Sequence, residues 1–97
     1  VANLPDVSFG IPVTQNMIMF SGTLQSGIAI PTGQSLKLNV YRNNVVTDLS
    51  MTIAAGQTLA SNIRQSVDFT RGEFLTIVLV SSGGNLNTNV AASFAFY

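Results

Sequence analysis

Asp6, Asp48, Asp68 and Glu73 are the only carboxylates in this 97-residue chain, and neither histidine nor cysteine accompanies them. Acid–base hydrolysis of a glycoside needs two carboxyl groups held a fixed distance apart. Asp68 and Glu73 flank the turn "TRGE" and are the one pair that sequence could bring together. Arg64 and Arg71 lie close by, so the expected state is a solvated turn with loose ion pairs. Without histidine the commonest general base and the usual nitrogen ligand are missing. Without cysteine as well, a zinc or copper site lacks its usual ligands and is not expected, and serine or threonine has no base to activate it. Calcium needs several converging oxygens, and no segment carries clustered aspartates. The "SSGGN" stretch does not open a helix after a strand, so it reads as a flexible loop and not a phosphate cradle. The expectation is a protein with no catalytic residues, no metal and no cofactor.

Composition narrows the partners. Four Lys+Arg in a chain of net charge +0 cannot neutralise a run of phosphates, which argues against nucleic acid. No apolar run reaches the ~18–20 residues needed to cross a bilayer as a helix, so membrane insertion is not expected. Hydrophobic residues make up 46% of the chain but charged residues only 8%. That is a globular hydrophobic content on a surface stripped of charge, against a usual charged fraction of about 25%. Near-zero net charge favours association. Two explanations fit together: part of the surface is buried against other copies, and the protein works outside the cell. With no disulfide available, a small extracellular domain can gain stability from oligomerisation. "VANLPDVSFG" lacks the basic and apolar regions of a signal peptide. Residues 1–97 are read as one domain, expected to be a fragment of a longer chain.

The elements carrying these residues follow a period of two. In "LKLNVYRNNVVTDLSMTI", Leu36, Leu38 and Val40 share one side of a strand, and Lys37, Asn39 and Tyr41 the other. After Asn43-Asn44, Val45, Thr47, Leu49, Met51 and Ile53 share a side. Alternation with one apolar face marks a half-buried antiparallel strand. Asparagine tolerates positive φ, so Asn43-Asn44 suits a two-residue hairpin turn. "AAGQT" is a second turn, with Gly56 at its positive-φ position. In "LASNIRQSVDF", Ile63, Val67 and Phe69 are expected to face inward. "NMIMFSGTL" and "FLTIVLV" are apolar on both faces, and "SGIAIPTGQ" reads as a short strand and turn. The last strand, "VAASFAFY", sets Val90, Ala92, Phe94 and Phe96 on one face against Ala91, Ser93, Ala95 and Tyr97. Pro5, Pro12 and Pro31 mark edges or turns. The fold class is therefore all-β: an antiparallel, jelly-roll-like β-sandwich of seven to eight strands. A two-layer sandwich covers each sheet on one side only, so strands apolar on both faces need a neighbour.

Three segments carry a resemblance: "LNVYRNNVVT" with "LSMTIAAGQT", "SVDFTRGEFLTIVLV", and the closing "AASFAFY". From Leu36 to Tyr97 the chain resembles the C-terminal jelly-roll heads of collagen-like and fibrous proteins of bacteria and phages. The exosporium collagen-like glycoproteins of bacilli are one such group, and their heads look like the C1q and tumour-necrosis-factor fold. The resemblance implies a compact homotrimer at the tip of a stalk, with the last two strands near the threefold axis. Carried onto this chain, Phe74, Thr76, Val78, Val80, Val90, Ala92, Phe94, Phe96 and Tyr97 would face sister subunits.

The function expected on these grounds is a structural and adhesive module, the head or tip of a phage fibre, virion spike or bacterial surface filament. Recognition of a host glycan or protein receptor would fall to exposed loops, with Thr32, Gln34, Asn85, Asn87 and Asn89 as candidate contacts. A monomeric carbohydrate-binding module is a second reading. It expects an exposed aromatic platform, yet there is no tryptophan and only two tyrosines. A capsid or decoration jelly roll is a third.

Overall fold

The computed structural model describes residues 7–83, 86 and 88–97. Asp6, Asn85 and Asn87 lie outside the described residues. Eight strands run in the order β1 (Val7–Pro12), β2 (Met17–Ser26), β3 (Ser35–Arg42), β4 (Val45–Ile53), β5 (Leu59–Asn62), β6 (Val67–Phe69), β7 (Phe74–Ser82) and β8 (Val90–Phe96). They form an antiparallel β-sandwich. One sheet has the order β1-β7-β3-β4. The other is built on β2, with β8 on one side and β5 and β6 sharing the other.

The hairpin β3–β4 forms at Asn43-Asn44, where φ is +50° and +66°. Both central residues are in the left-handed region, as the turn twist of a two-residue hairpin demands. Inward positions of β3 and β4 (Leu36, Leu38, Val40, Leu49, Met51 and Ile53) are all buried, as alternation predicts. Val45 is not, because the ladder is irregular. Asn39 pairs with Ser50 but Tyr41 pairs with Val46, so Thr47, Asp48 and Leu49 all oppose Val40. Thr47 Oγ1 donates to the Val40 carbonyl at 2.7 Å, bridging the gap left in the ladder. This bulge carries the hairpin tip beyond the core and leaves Val45 and Val46 in water.

The expected inward strand through Ile63 is interrupted. Asn62 Oδ1 accepts from the Arg64 and Gln65 amides at 3.0 and 3.2 Å, and its Nδ2 donates to the Ser50 carbonyl. These local bonds replace ladder bonds, so β5 ends at Asn62 and β6 restarts at Val67. Val67 and Phe69 are buried as expected, but Ile63 is 78% exposed. The expected short strand within 26–34 is likewise absent beyond Ser26. There Ile30 is buried, its amide donating to Gln57 and its carbonyl accepting from Gly56. The loop is pinned to the β4–β5 turn and has no sheet to join.

Among the described residues, core side chains come from β3, β4 and β7 of the first sheet and from β2 and β6 of the second, with Ala60 of β5 and Phe94 of β8 packed against them and Val13, Ile30 and Leu86 closing the ends. Gly22 lies at the centre of β2 and sits against two of them. A Cβ there would meet Met51 Cε and Phe94 Cδ1, each at 2.9 Å. Its missing side chain lets Phe94 fold over β2 and reach the core edge.

Candidate functional site

The two loops expected to meet a receptor converge at one end of the sandwich. Ser35 pairs with Ser82 where β3 starts and β7 ends, and their hydroxyls lie 2.7 Å apart. Gly83, at φ +88°, packs directly against the Gly33 carbonyl, a position that no side chain could occupy. Thr32 is exposed, and Gln34 is half-buried with its Oε1 enclosed and lacking a hydrogen-bond partner among the described residues. Asn89 is exposed, and its carbonyl accepts from Gly27. Thr88 Oγ1 stands beside Gly27 as well. So "IPTGQS" meets the end of β7 through Gly33, and the segment leading into β8 meets Gly27.

Asp48, Asp68 and Glu73 gather at the opposite end. Arg42, Asn43, Val45, Val46, Thr47 and Asp48 of the β3–β4 hairpin face Ser66, Val67 and Asp68 of the second sheet and Glu73 of the β6–β7 turn. Together they line an open groove of about 610 Å³. The bulge in β4 makes one wall by carrying Val45–Asp48 outward. Glu73 is held by three contacts. Its Oε1 accepts from the Thr70 amide at 2.5 Å, and its Oε2 accepts from Asn43 Nδ2 at 3.0 Å. The third is an ion pair with Arg42 at 3.8 Å. The Arg42 guanidinium also donates to the Asp68 carbonyl at 3.1 Å. The cation serving this turn is therefore Arg42, 31 residues upstream of Glu73, and not the neighbouring Arg64 or Arg71 expected from sequence. Only strand pairing could have found it. Among the described residues, no three acids stand close enough to hold a metal ion.

The nine residues expected to face sister subunits occupy two places. Phe74, Thr76, Val78 and Val80 project from the outer face of the β1-β7-β3-β4 sheet, opposite the buried Leu75, Ile77 and Ser81. Phe74 is 55% exposed and the other three are half-buried. Val90, Ala92, Phe94 and Phe96 lie on the inward-facing side of β8, since they pair with Ser26, Leu24, Gly22 and Met19. Phe94 packs against the core, but Val90 (36%), Ala92 and Phe96 (42%) remain exposed because β8 stands at the rim of its sheet. Tyr97 is 76% exposed and leans on Phe20, with ring centroids 5.2 Å apart. The predicted interface is thus two apolar patches on different sheets. No family model, curated protein or solved structure matches the chain.

Proposed function

We propose that this chain is a non-enzymatic structural and adhesive module, the homotrimeric head or tip of a phage fibre, virion spike or bacterial surface filament, acting outside the cell. The observation that carries the reading is the pair of uncovered apolar patches. A ring of identical subunits joins head to tail, so it needs two different surfaces on each copy. The outer face of β7 and the rim at β8 are two such surfaces, and neither strand itself carries a charge, Lys37 of β3 lying beside Val80 at the edge of the first patch. Burying one large apolar side chain completely contributes ~1.5–3 kcal/mol. Phe74, Phe96 and Tyr97 are each about half or more exposed, so a few kcal/mol per contact is within reach when each contact repeats three times. Recognition of a surface glycan or protein receptor is assigned to the end where Thr32 and Asn89 are exposed.

Light scattering on a size-exclusion column tests this. The expected mass is three times the 10.3 kDa of one chain. Phe74→Asp should dissociate the trimer while leaving the fold intact, because Phe74 lies outside the core. A wild-type monomer at micromolar concentration would overturn the assignment.

A further inference from the structure

We propose that the free edge of β8 pairs antiparallel with β8 of a second copy about a twofold axis at Ser93, joining two sandwiches into one continuous sheet. The ring would join side-chain faces, whereas this seam joins the backbone edge of the same β8 rim, with Val90, Ala92 and Phe96 common to both.

The direction of the backbone groups comes first. The Tyr97 amide and carbonyl both bond to Ile18, and the Asn89 carbonyl accepts from Gly27. Successive residues of a strand point their N–H and C=O groups to opposite sides, so the odd-numbered residues 89–97 face β2. Val90, Ala92, Phe94 and Phe96 then present theirs to the free edge. No strand takes them up among the described residues.

The other three sheet edges are guarded as natural edges usually are. The edge strand β1 contains Gly10 and ends in Pro12. β4 is broken by its bulge and carries Asp48. The β5/β6 edge is interrupted at residues 63–66, where Arg64 lies, and carries Asp68 within β6. β8 alone is seven residues long, with no charge, no proline and no break within the strand itself.

Its sequence is also complementary to its own reverse. With Ser93 opposite Ser93 of the second copy, Val90 meets Phe96 and Ala92 meets Phe94 on the inner face, and Ala91 meets Ala95 on the outer. Every inner pair joins a larger ring to a smaller side chain, and the residues with free backbone groups fall opposite one another. Such pairs are the unit of sheet stabilisation. Val90, Ala91, Ala92 and Ser93 are all exposed along this strand, so nothing among the described residues covers it.

Two variants test the seam. Ala92→Pro deletes an amide that points outward and none that bonds to β2, so the isolated fold should keep its circular dichroism spectrum and melting temperature. By symmetry two edge bonds are lost per pair, and sedimentation equilibrium should show association weakened ~10–100-fold. In a cysteine-free chain, Ser93→Cys places two thiols across the axis, where opposed Cα atoms are ~4.5 Å apart and within disulfide range. Ala91→Cys places its thiols ~14 Å apart. Rapid disulfide dimerisation of Ser93→Cys but not Ala91→Cys supports the seam and its register. Equal rates for the two overturn it. So does a folded Ala92→Pro protein that associates like the wild type; a trimer surviving in that variant would leave the ring reading standing and remove the seam.

Discussion

Asn43 concentrates three roles in one side chain, and replacing it separates them. Its backbone is left-handed at φ +50°. Its Oδ1 accepts from the Phe74 amide at 2.8 Å, and its Nδ2 donates to Glu73 at 3.0 Å. Its amide also donates to the Phe74 carbonyl, a bond that any non-proline residue keeps. Asn43→Gly preserves the backbone conformation and removes the two side-chain bonds. A net hydrogen bond is worth ~0.5–1.5 kcal/mol, and this site is exposed, so the low end applies and the cost is about 1 kcal/mol. Asn43→Ala loses the same bonds and adds a left-handed alanine, at a further ~1 kcal/mol. Asn43→Asp keeps the acceptor for Phe74 but sets a carboxylate against Glu73 in place of a donor. For a domain of this size, 1 kcal/mol moves the melting temperature by about 4–8 °C. Urea and thermal unfolding of the three variants should therefore rank glycine above alanine by about 1 kcal/mol. If glycine and alanine unfold together, the turn does not depend on a residue that tolerates positive φ. If both match the wild type, the link between the hairpin and the β6–β7 turn contributes nothing.

Gly22→Val should destabilise the fold by ~1–3 kcal/mol, read by urea unfolding, because its Cβ already meets Met51 and Phe94 at 2.9 Å. It should also release Phe94 from the core, visible as faster amide exchange in β8. Ile63→Asp, at an exposed break between strands, should change stability by less than ~0.5 kcal/mol. Phe69→Ala, only six residues on but buried, should cost ~3–5 kcal/mol in the same assay.

Local pattern carried much of this fold. Alternation placed Leu36, Leu38, Val40, Leu49, Met51 and Ile53 on inward faces, and the backbone preference of asparagine and glycine located the turns at Asn43-Asn44 and Gly56. Both signals are properties of adjacent residues, so they need no partner to be legible. Three features were not carried by alternation, one of them local and two set by residues distant in the chain. Asn62 ends β5 with local bonds that compete with the ladder, and this turned Ile63 outward against its alternation. The bulge opposite Val40 depends on pairing register, and it carried Val45 out of the core. The groove that joins Arg42, Asp48, Asp68 and Glu73 exists because both sheets end at the same place. Sequence could bring only Asp68 and Glu73 near each other, across their turn, since Arg42 and Asp48 reach them through strand order. The same holds for the apolar surface. Composition announced a chain short of charge, whereas only the sheet topology decided which strands would stand at the rim with their hydrophobic side chains in water.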